Sequence, residues 1–260
     1  GGGVVGDLAG FVAATFMRGI PVVQVPTSLL AMIDASVGGK TGVDTPHGKN
    51  LVGAFHPPRV VLVDPETIAT LPRGERSNGL AEALKHAAIL DEAYGERVVA
   101  AAGDVLEADP DAVLGVVHRS VELKADVVSR DEREGGLREI LNFGHTLGHA
   151  IEAAADYRLG HGSAIALGMR AEARIGERLG VTEAGTEARL AEVLHRLLGS
   201  IEAGVGIDDV LAFLGSDKKT RAGRPRYVLL SRIGETDPGE RWTHEVPDDV
   251  ARDALASVLL

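Results

Sequence analysis

Apolar residues along this chain fall into two regimes. Up to about residue 71, short β-branched runs alternate with helix-spaced segments; from Arg73 onward the spacing is mostly helical. In the first regime the glycine-rich run Gly1-Gly2-Gly3-Val4-Val5-Gly6 leads into a helix over Asp7 to Met17. Ile20-Pro21-Val22-Val23-Gln24-Val25 reads as a buried strand. Pro26-Thr27-Ser28 opens a second helix, with Leu29, Leu30, Ile33 and Ala35 apolar. Val37 to Pro58, rich in Gly, Asp, Lys and His, reads as a long loop, and loops of that length in compact domains are often functional. Val60-Val61-Leu62-Val63 is a second buried-strand run, ended by Asp64-Pro65. This alternation predicts a parallel α/β sheet. In the second regime helices are expected over about 76–93, 110–131, 136–155, 163–179, 183–198 and 206–215. Val228-Leu229-Leu230 is a late strand, and Asp248 to Leu259 a closing helix. The chain therefore divides into an α/β part, 1–71, and a mainly helical part, 72–260, with a cleft expected at their junction.

Composition leaves that picture standing and narrows the chemistry. The 260 residues suffice for one large domain or two modest ones. Aromatic residues are only 3%, so the core must come from Val, Leu, Ile and Ala, while 33 glycines predict close backbone approaches. Lys and Arg number 27 against 38 Asp and Glu, a net charge of −11. That balance argues against nucleic-acid binding, which needs a basic footprint. A small anionic substrate stays open, because local charge can oppose net charge. The lack of Cys removes disulfides, thiol catalysis and thiolate metal sites. No apolar run reaches the ~18 residues of a membrane span and no signal peptide is visible, so a cytoplasmic setting is expected.

Three segments carry candidate chemistry. Gly1-x-Gly3-x-x-Gly6 fits a dinucleotide fingerprint, whose glycines admit a pyrophosphate to a helix N-terminus. The fingerprint demands a preceding strand; none is present, so either the match is false or upstream sequence has been removed, and removal is the favoured reading. In Leu137 to His149, Arg138, Asn142, His145 and His149 are spaced 4, 3 and 4 apart. On one helix they would share an arc of roughly 60° between apolar shoulders. Two His at i, i+4 can share one metal; His161 follows soon after, and Glu82, in Gly79-Leu80-Ala81-Glu82-Ala83-Leu84-Lys85, is the carboxylate candidate. From spacing alone, a partly exposed Glu82–Lys85 pair is the more ordinary reading. The loop Asp34 to Asp44 contains Gly38-Gly39-Lys40-Thr41, which lacks the first glycine of a P-loop but reads as an anion-approach loop. Lys49-Asn50 and Lys218-Lys219 add donors.

Together these segments resemble the 3-dehydroquinate synthase family. The likeness rests on GGGVVGDLAGF from Gly1, Met17-Arg18-Gly19, the run Pro26 to Pro58, Gly79 to Lys85, NFGHTLGHAIE from Asn142 to Glu152, and His161-Gly162, in the family's order and across essentially the whole chain. The resemblance implies an incomplete Rossmann-like NAD-binding domain followed by a helical metal- and substrate-binding domain. It implies a carbon–oxygen lyase using NAD and zinc or cobalt. Its substrate would be the sugar phosphate 3-deoxy-D-arabino-heptulosonate 7-phosphate. The family pattern places the metal on Glu82, His145 and His161, and sets His149 at the phosphate region and proton transfer. Arg138 and Lys124 resemble carboxylate binders; Lys40, Asn50, Asn142 and Lys219 (or Lys218) resemble phosphate contacts; Asp34 and Lys85 resemble partners of the substrate hydroxyls. Gly3, Val4, Val5, Gly6, Asp7, Thr27, Ser28, Lys40, Lys49, Thr67 and Thr70 resemble NAD contacts, with Ser28 in place of the family's usual Thr. Arg18 matches a residue that reaches a neighbouring subunit's site, which implies a homodimer. The family carries a substantial segment before the glycine loop, so this chain is expected to be the back portion of a longer enzyme. Competing readings are another sugar-phosphate cyclase, such as 2-deoxy-scyllo-inosose synthase, whose substrate lacks the carboxylate, and a non-catalytic helical module that oligomerises or binds metal.

Overall fold

The computed structural model describes residues 1–45, 48–214 and 225–259, and only the backbone of 48–50. The side chains of Lys49 and Asn50, and the whole of Lys218 and Lys219, lie outside the described residues.

The first part of the chain holds α1 (Gly3–Thr15), β1 (Val23–Gln24), a π-helical turn (Ala31–Ala35), β2 (Lys40–Thr45), β3 (Gly48–Phe55), β4 (Val60–Val61) and a 3-10 helix (Pro65–Thr70). The expected parallel sheet is two strands wide: Val23 pairs with Val60 and Gln24 with Val61. The expected burial of these strands is not seen. Val23, Val25, Val60 and Leu62 are exposed, as are Val4, Val5, Leu8 and Val12 of α1. Parallel strands are buried when other layers cover both faces, and that covering is incomplete here. The expected loop Val37–Pro58 is instead largely an antiparallel hairpin, with Lys40 opposite Phe55 and Val43 opposite Val52. Its apolar alternation is broken by Gly, Asp and Lys, so the period-2 signal does not surface in the sequence. The glycine fingerprint is likewise no free loop: Gly3 and Gly6 already lie in α1.

The second part is α2 (Arg73–Leu90), α3 (Glu92–Leu106), α4 (Pro110–Arg130), a 3-10 helix (Leu137–Asn142), α5 (His145–Ala154), α6 (His161–Leu179), α7 (Thr186–Leu198), α8 (Ile207–Leu214), the antiparallel pair β5 (Leu230–Arg232) and β6 (Glu235–Thr236), and α9 (Asp248–Leu259). Two expectations change. Helix α3 adds to the expected set; Asp91 ends α2 and starts α3, accepting from the Tyr94 N–H at 3.0 Å as an N-cap. The single helix expected over 136–155 is interrupted, because Phe143 is extended and Gly144 takes φ +77°. Arg138 and Asn142 therefore sit on a different turn from His145 and His149.

Two apolar clusters meet on α6. One gathers residues of α2, α3, α4 and α7 around Ile165, Ala166, Met169 and Ala173. The other gathers α5, α8 and α9 around Ala164, Leu167, Ala171 and Ile175. A helix apolar on both sides is buried between layers. Glycine lets α5 and α6 touch: a Cβ on Gly168 would lie 2.0 Å from the Gly144 carbonyl oxygen.

Candidate functional site

Three helices converge on one carboxylate. Glu82 lies mid-way along α2 and is fully buried. His145 is the first residue of α5 and His161 the first of α6. Gly162 seats the start of α6 on α2, where a Cβ would lie 2.6 Å from Asn78 Cα. Glu82 Oε2 pairs with the Lys85 ammonium. Glu82 Oε1 has no hydrogen-bond partner among the described residues; it faces His145 Nε2 at 3.6 Å and His161 Nε2 at 3.7 Å. Ligand atoms held tetrahedrally at about 2.1 Å from a zinc ion stand about 3.4 Å apart, so the three groups fit one divalent cation. Each imidazole has an acceptor for its other nitrogen: His145 Nδ1 lies 3.1 Å from Phe143 O, and His161 Nδ1 lies 3.3 Å from Glu152 Oε2. That arrangement fixes the tautomer and leaves Nε2 for the cation. Burial opposes ionisation of Glu82, yet Lys85, His145 and His161 hold its carboxyl well below the usual carboxylate range. Burial also opposes charge on His161, but Glu152 and Glu82 outweigh it and raise the imidazole to about 9.

The i, i+4 pair therefore does not form the metal group by itself. The rings of His145 and His149 meet edge-on, with centroids 5.0 Å apart. His149 stands beside Glu82, His145 and His161, 5.9 Å from the His161 ring. The expected half-exposed Glu82–Lys85 pair is also corrected, because both side chains are buried.

Behind the carboxylate lies a layer of buried and half-buried charges. Asp34, on the π-helical turn, accepts from Lys124 Nζ at 2.8 Å, with Lys85 Nζ at 3.9 Å and His86 Nε2 at 3.5 Å. Burial works against Asp34 ionising, but Lys124 and Lys85 hold it well below its ordinary value. Burial lowers Lys124, which Asp34 only partly offsets; Lys85 is raised against burial by Glu82 and Asp34. Asp7 at the start of the chain is pushed up to about 6 by burial and by the Asp34 charge.

The rim joins the hairpin to the segment after α4. Lys40 pairs with Glu134 at 2.5 Å, and Glu134 accepts from Asn142 Nδ2 at 3.0 Å. Arg138 is buried, donating to the carbonyls of Gly38 (2.9 Å) and Glu132 (2.5 Å), so it ties the hairpin to this segment. Gly1 to Gly3 and Thr27-Ser28 come together: Thr27 N–H donates to Gly1 O at 3.0 Å, and a Cβ on Gly2 would lie 3.4 Å from Ser28 Oγ. The N-terminus of α1 has a glycine cap and no acidic residue in its first turn, which suits a pyrophosphate. Val4 and Val5 lie in that turn and are exposed. Thr67 and Thr70 sit apart in the 3-10 helix that packs on α4, with Thr67 donating to Asp64 O. Arg18 is not brought to the metal group. It lines a cleft of about 440 Å³ with Ile20, His56, Pro57 and Arg59, on a turn where Met17 and Arg18 hold φ +48° and +67°.

Sequence reasoning missed four buried or half-buried groups here. Glu134 bridges Lys40 and Asn142, and His86 faces Asp34. Glu152 holds His161, and Glu172 of α6 accepts the Gly144 and Leu147 N–H groups at the start of α5. Only Glu152 had a readable signal: it continues the spacing His145, His149 by three residues.

Residues 1–78 match the family model described as 3-dehydroquinate synthase N-terminal, and residues 79–220 match 3-dehydroquinate synthase C-terminal. The chain is 50% identical over 258 residues to 3-dehydroquinate synthase of Symbiobacterium thermophilum, covering 98% of this chain and 70% of that protein. Among solved structures, it is similar to 2-deoxy-scyllo-inosose synthase complexed with carbaglucose-6-phosphate, NAD+ and Co2+, with a TM-score of 0.92 and 28% identity over 99% of this chain and 72% of the other. It is also similar to 2-epi-5-epi-valiolone synthase from Streptomyces hygroscopicus subsp. jinggangensis 5008 with NAD+ and Zn2+ bound, with a TM-score of 0.86 and 31% identity over 99% of this chain and 71% of the other. The fold is accordingly that of these cyclases, a shortened Rossmann-like α/β part followed by a helical part.

Proposed function

The chain belongs to the 3-dehydroquinate synthase family, and on that premise we propose that its site converts 3-deoxy-D-arabino-heptulosonate 7-phosphate to 3-dehydroquinate and phosphate, as a carbon–oxygen lyase of the shikimate pathway. The observation that carries the reading is the buried Glu82 carboxylate facing two imidazole nitrogens at 3.6 and 3.7 Å. Glu82, His145 and His161 would hold Zn2+ or Co2+, which supplies a Lewis acid for the hydroxyl being oxidised and the ketone that replaces it. The α1 N-terminus, with Gly3 to Asp7 and the adjoining Thr27 and Ser28, would hold NAD, which supplies a hydride acceptor that is regenerated each turnover.

The chain's own residues do the rest. Lys124 and Arg138 are the carboxylate binders of this reading, and their cations stand behind the metal group and under the hairpin. Lys40 and Asn142 are phosphate contacts; Glu134 between them orients both until an anion competes for Lys40. Lys49, Asn50 and Lys219 belong to the same proposal and lie outside the described side chains. Asp34 and Lys85 orient substrate hydroxyls. His149 is half-buried beside His145 and His161, where its ring nitrogen can pass a proton to the departing phosphate. The division at residue 72, a homodimer in which Arg18 completes the partner's site, and a cytoplasmic setting complete the reading. Exposure of Arg18 on a strained turn, away from its own chain's metal group, supports the shared site.

Phosphate release, with NAD and zinc present, tests the substrate. The carboxylated heptulosonate phosphate should turn over, and a neutral hexose 6-phosphate should not. Release from the neutral sugar alone would contradict the assignment and favour a cyclase such as 2-deoxy-scyllo-inosose synthase.

A further inference from the structure

We propose that Glu152 is a positioning residue for His161: its carboxylate accepts the His161 Nδ1–H and so turns Nε2 toward Glu82 and His145. The inference rests on the metal reading above. Of the three ligands, His161 is the one least held by its surroundings. Glu82 is enclosed in α2, and the side chain of His145 is 11% exposed, whereas that of His161 is 29% exposed. His161 also opens its helix directly after the turn 156–160, where Asp156 and Tyr157 both take left-handed φ values. A residue in that place has open space on one side and needs an anchor to keep one rotamer.

Glu152 supplies the anchor from a rigid element. It lies on α5 seven residues after His145, two turns along the same face, and its side chain is 12% exposed. Its Oε2 is 3.3 Å from His161 Nδ1. An anionic acceptor on the far nitrogen fixes the tautomer, orients the ring and raises the basicity of the ligating nitrogen; loss of such a partner typically lowers metal affinity 10- to 100-fold. The turn between α5 and α6 returns the chain so that α5 supplies one ligand and also the support for the next.

Glu152 could instead act as a ligand itself, since its oxygen and nitrogens of His149 and His161 also lie within 4.8 Å of one another. The two roles separate in zinc affinity, measured by competition with a chromophoric chelator on the full chain. Positioning predicts about a 3- to 10-fold loss for Glu152→Gln, which keeps an acceptor oxygen without the charge, and 10- to 100-fold for Glu152→Ala. His161→Ala should lose zinc altogether. The visible bands of the Co2+-loaded Glu152→Gln variant should shift in position relative to the parent's while the amount of Co2+ bound at saturation stays the same, a signature that a change in general stability would not produce. Zinc affinity of Glu152→Ala within twofold of the parent overturns the proposal. So does a loss in both Glu152 variants as complete as that of His161→Ala, which assigns Glu152 as a ligand. A parent chain that holds no zinc brings down the metal reading itself, and is thereby distinct from failure of the positioning role alone.

Discussion

On the proposed ligand set, zinc binding beside Glu82 displaces a proton from His161. Burial disfavours that proton, but Glu152 and Glu82 hold it with an imidazole pKa of about 9, above the ordinary value of 6.5. In the metal-free chain the raised value means that the protonated ring stabilises the fold fully below about pH 6.5, and that this contribution fades as pH rises through about 9. Metal binding runs the other way, because the ligand must be neutral. Near pH 7.5 binding should release about one proton from His161, and apparent zinc affinity should rise with pH until about 9. Calorimetry in buffers of different ionisation enthalpy measures the number directly; a release near zero would show that His161 is already neutral. The four charges of the inner layer are the residue-scale reason that this site tolerates burial. Glu82 and Asp34 face Lys85 and Lys124, so each of these four charges has an opposite partner.

At the scale of elements, the site depends on how closely α5 and α6 approach. Gly168→Ala would set a methyl group 2.0 Å from the Gly144 carbonyl, which is backbone and cannot swing aside. The helices must separate, carrying His145 away from His161. Overpacking of this kind costs about 1–3 kcal/mol; thermal unfolding should show that loss, and zinc affinity should fall with it. A variant with unchanged melting and unchanged zinc binding would mean that the contact is not limiting. The same glycines explain what the sequence could and could not tell. The helices Pro110–Arg130, His161–Leu179 and Asp248–Leu259 follow their apolar spacing closely. The interruption at Phe143-Gly144 does not, because an apolar pattern runs on through it and only the left-handed φ of Gly144 betrays the turn. The hairpin Lys40–Phe55 is hidden for the opposite reason, since its glycines and charges erase the alternation that marks a strand. Glu134 and Glu172 act across 8 and 28 residues, on Asn142 and Gly144, by contacts that no local spacing encodes.

At the scale of the whole molecule, α6 belongs to both apolar clusters, with Met169 in one and Leu167 in the other. The helical part should therefore unfold in one transition, and Leu167→Ala and Met169→Ala should each lower that same transition, by about 2–5 kcal/mol. Two separate transitions in calorimetry, each sensitive to one substitution, would show that α6 does not couple them. The α/β part differs in kind. Its two-stranded sheet and α1 leave Val4, Val5, Leu8, Val23, Val60 and Leu62 open, while the Thr27 N–H donates to the Gly1 carbonyl at 3.0 Å beside the start of α1. The chain spans 70% of the length of its Symbiobacterium thermophilum relative. The acidic excess of −11 is compatible with an anionic substrate because the cations Lys85, Lys124 and Arg138 are gathered inside. All of these assignments pass through one centre, the carboxylate of α2 facing the first residues of α5 and α6. Zinc content of the purified chain, measured by atomic emission after exhaustive dialysis against metal-free buffer, tests that centre most directly. The parent should retain about one zinc per chain, and Glu82→Ala and His161→Ala should retain almost none while still folding; full occupancy in either variant would contradict the assignment of Glu82, His145 and His161 as the metal-holding group.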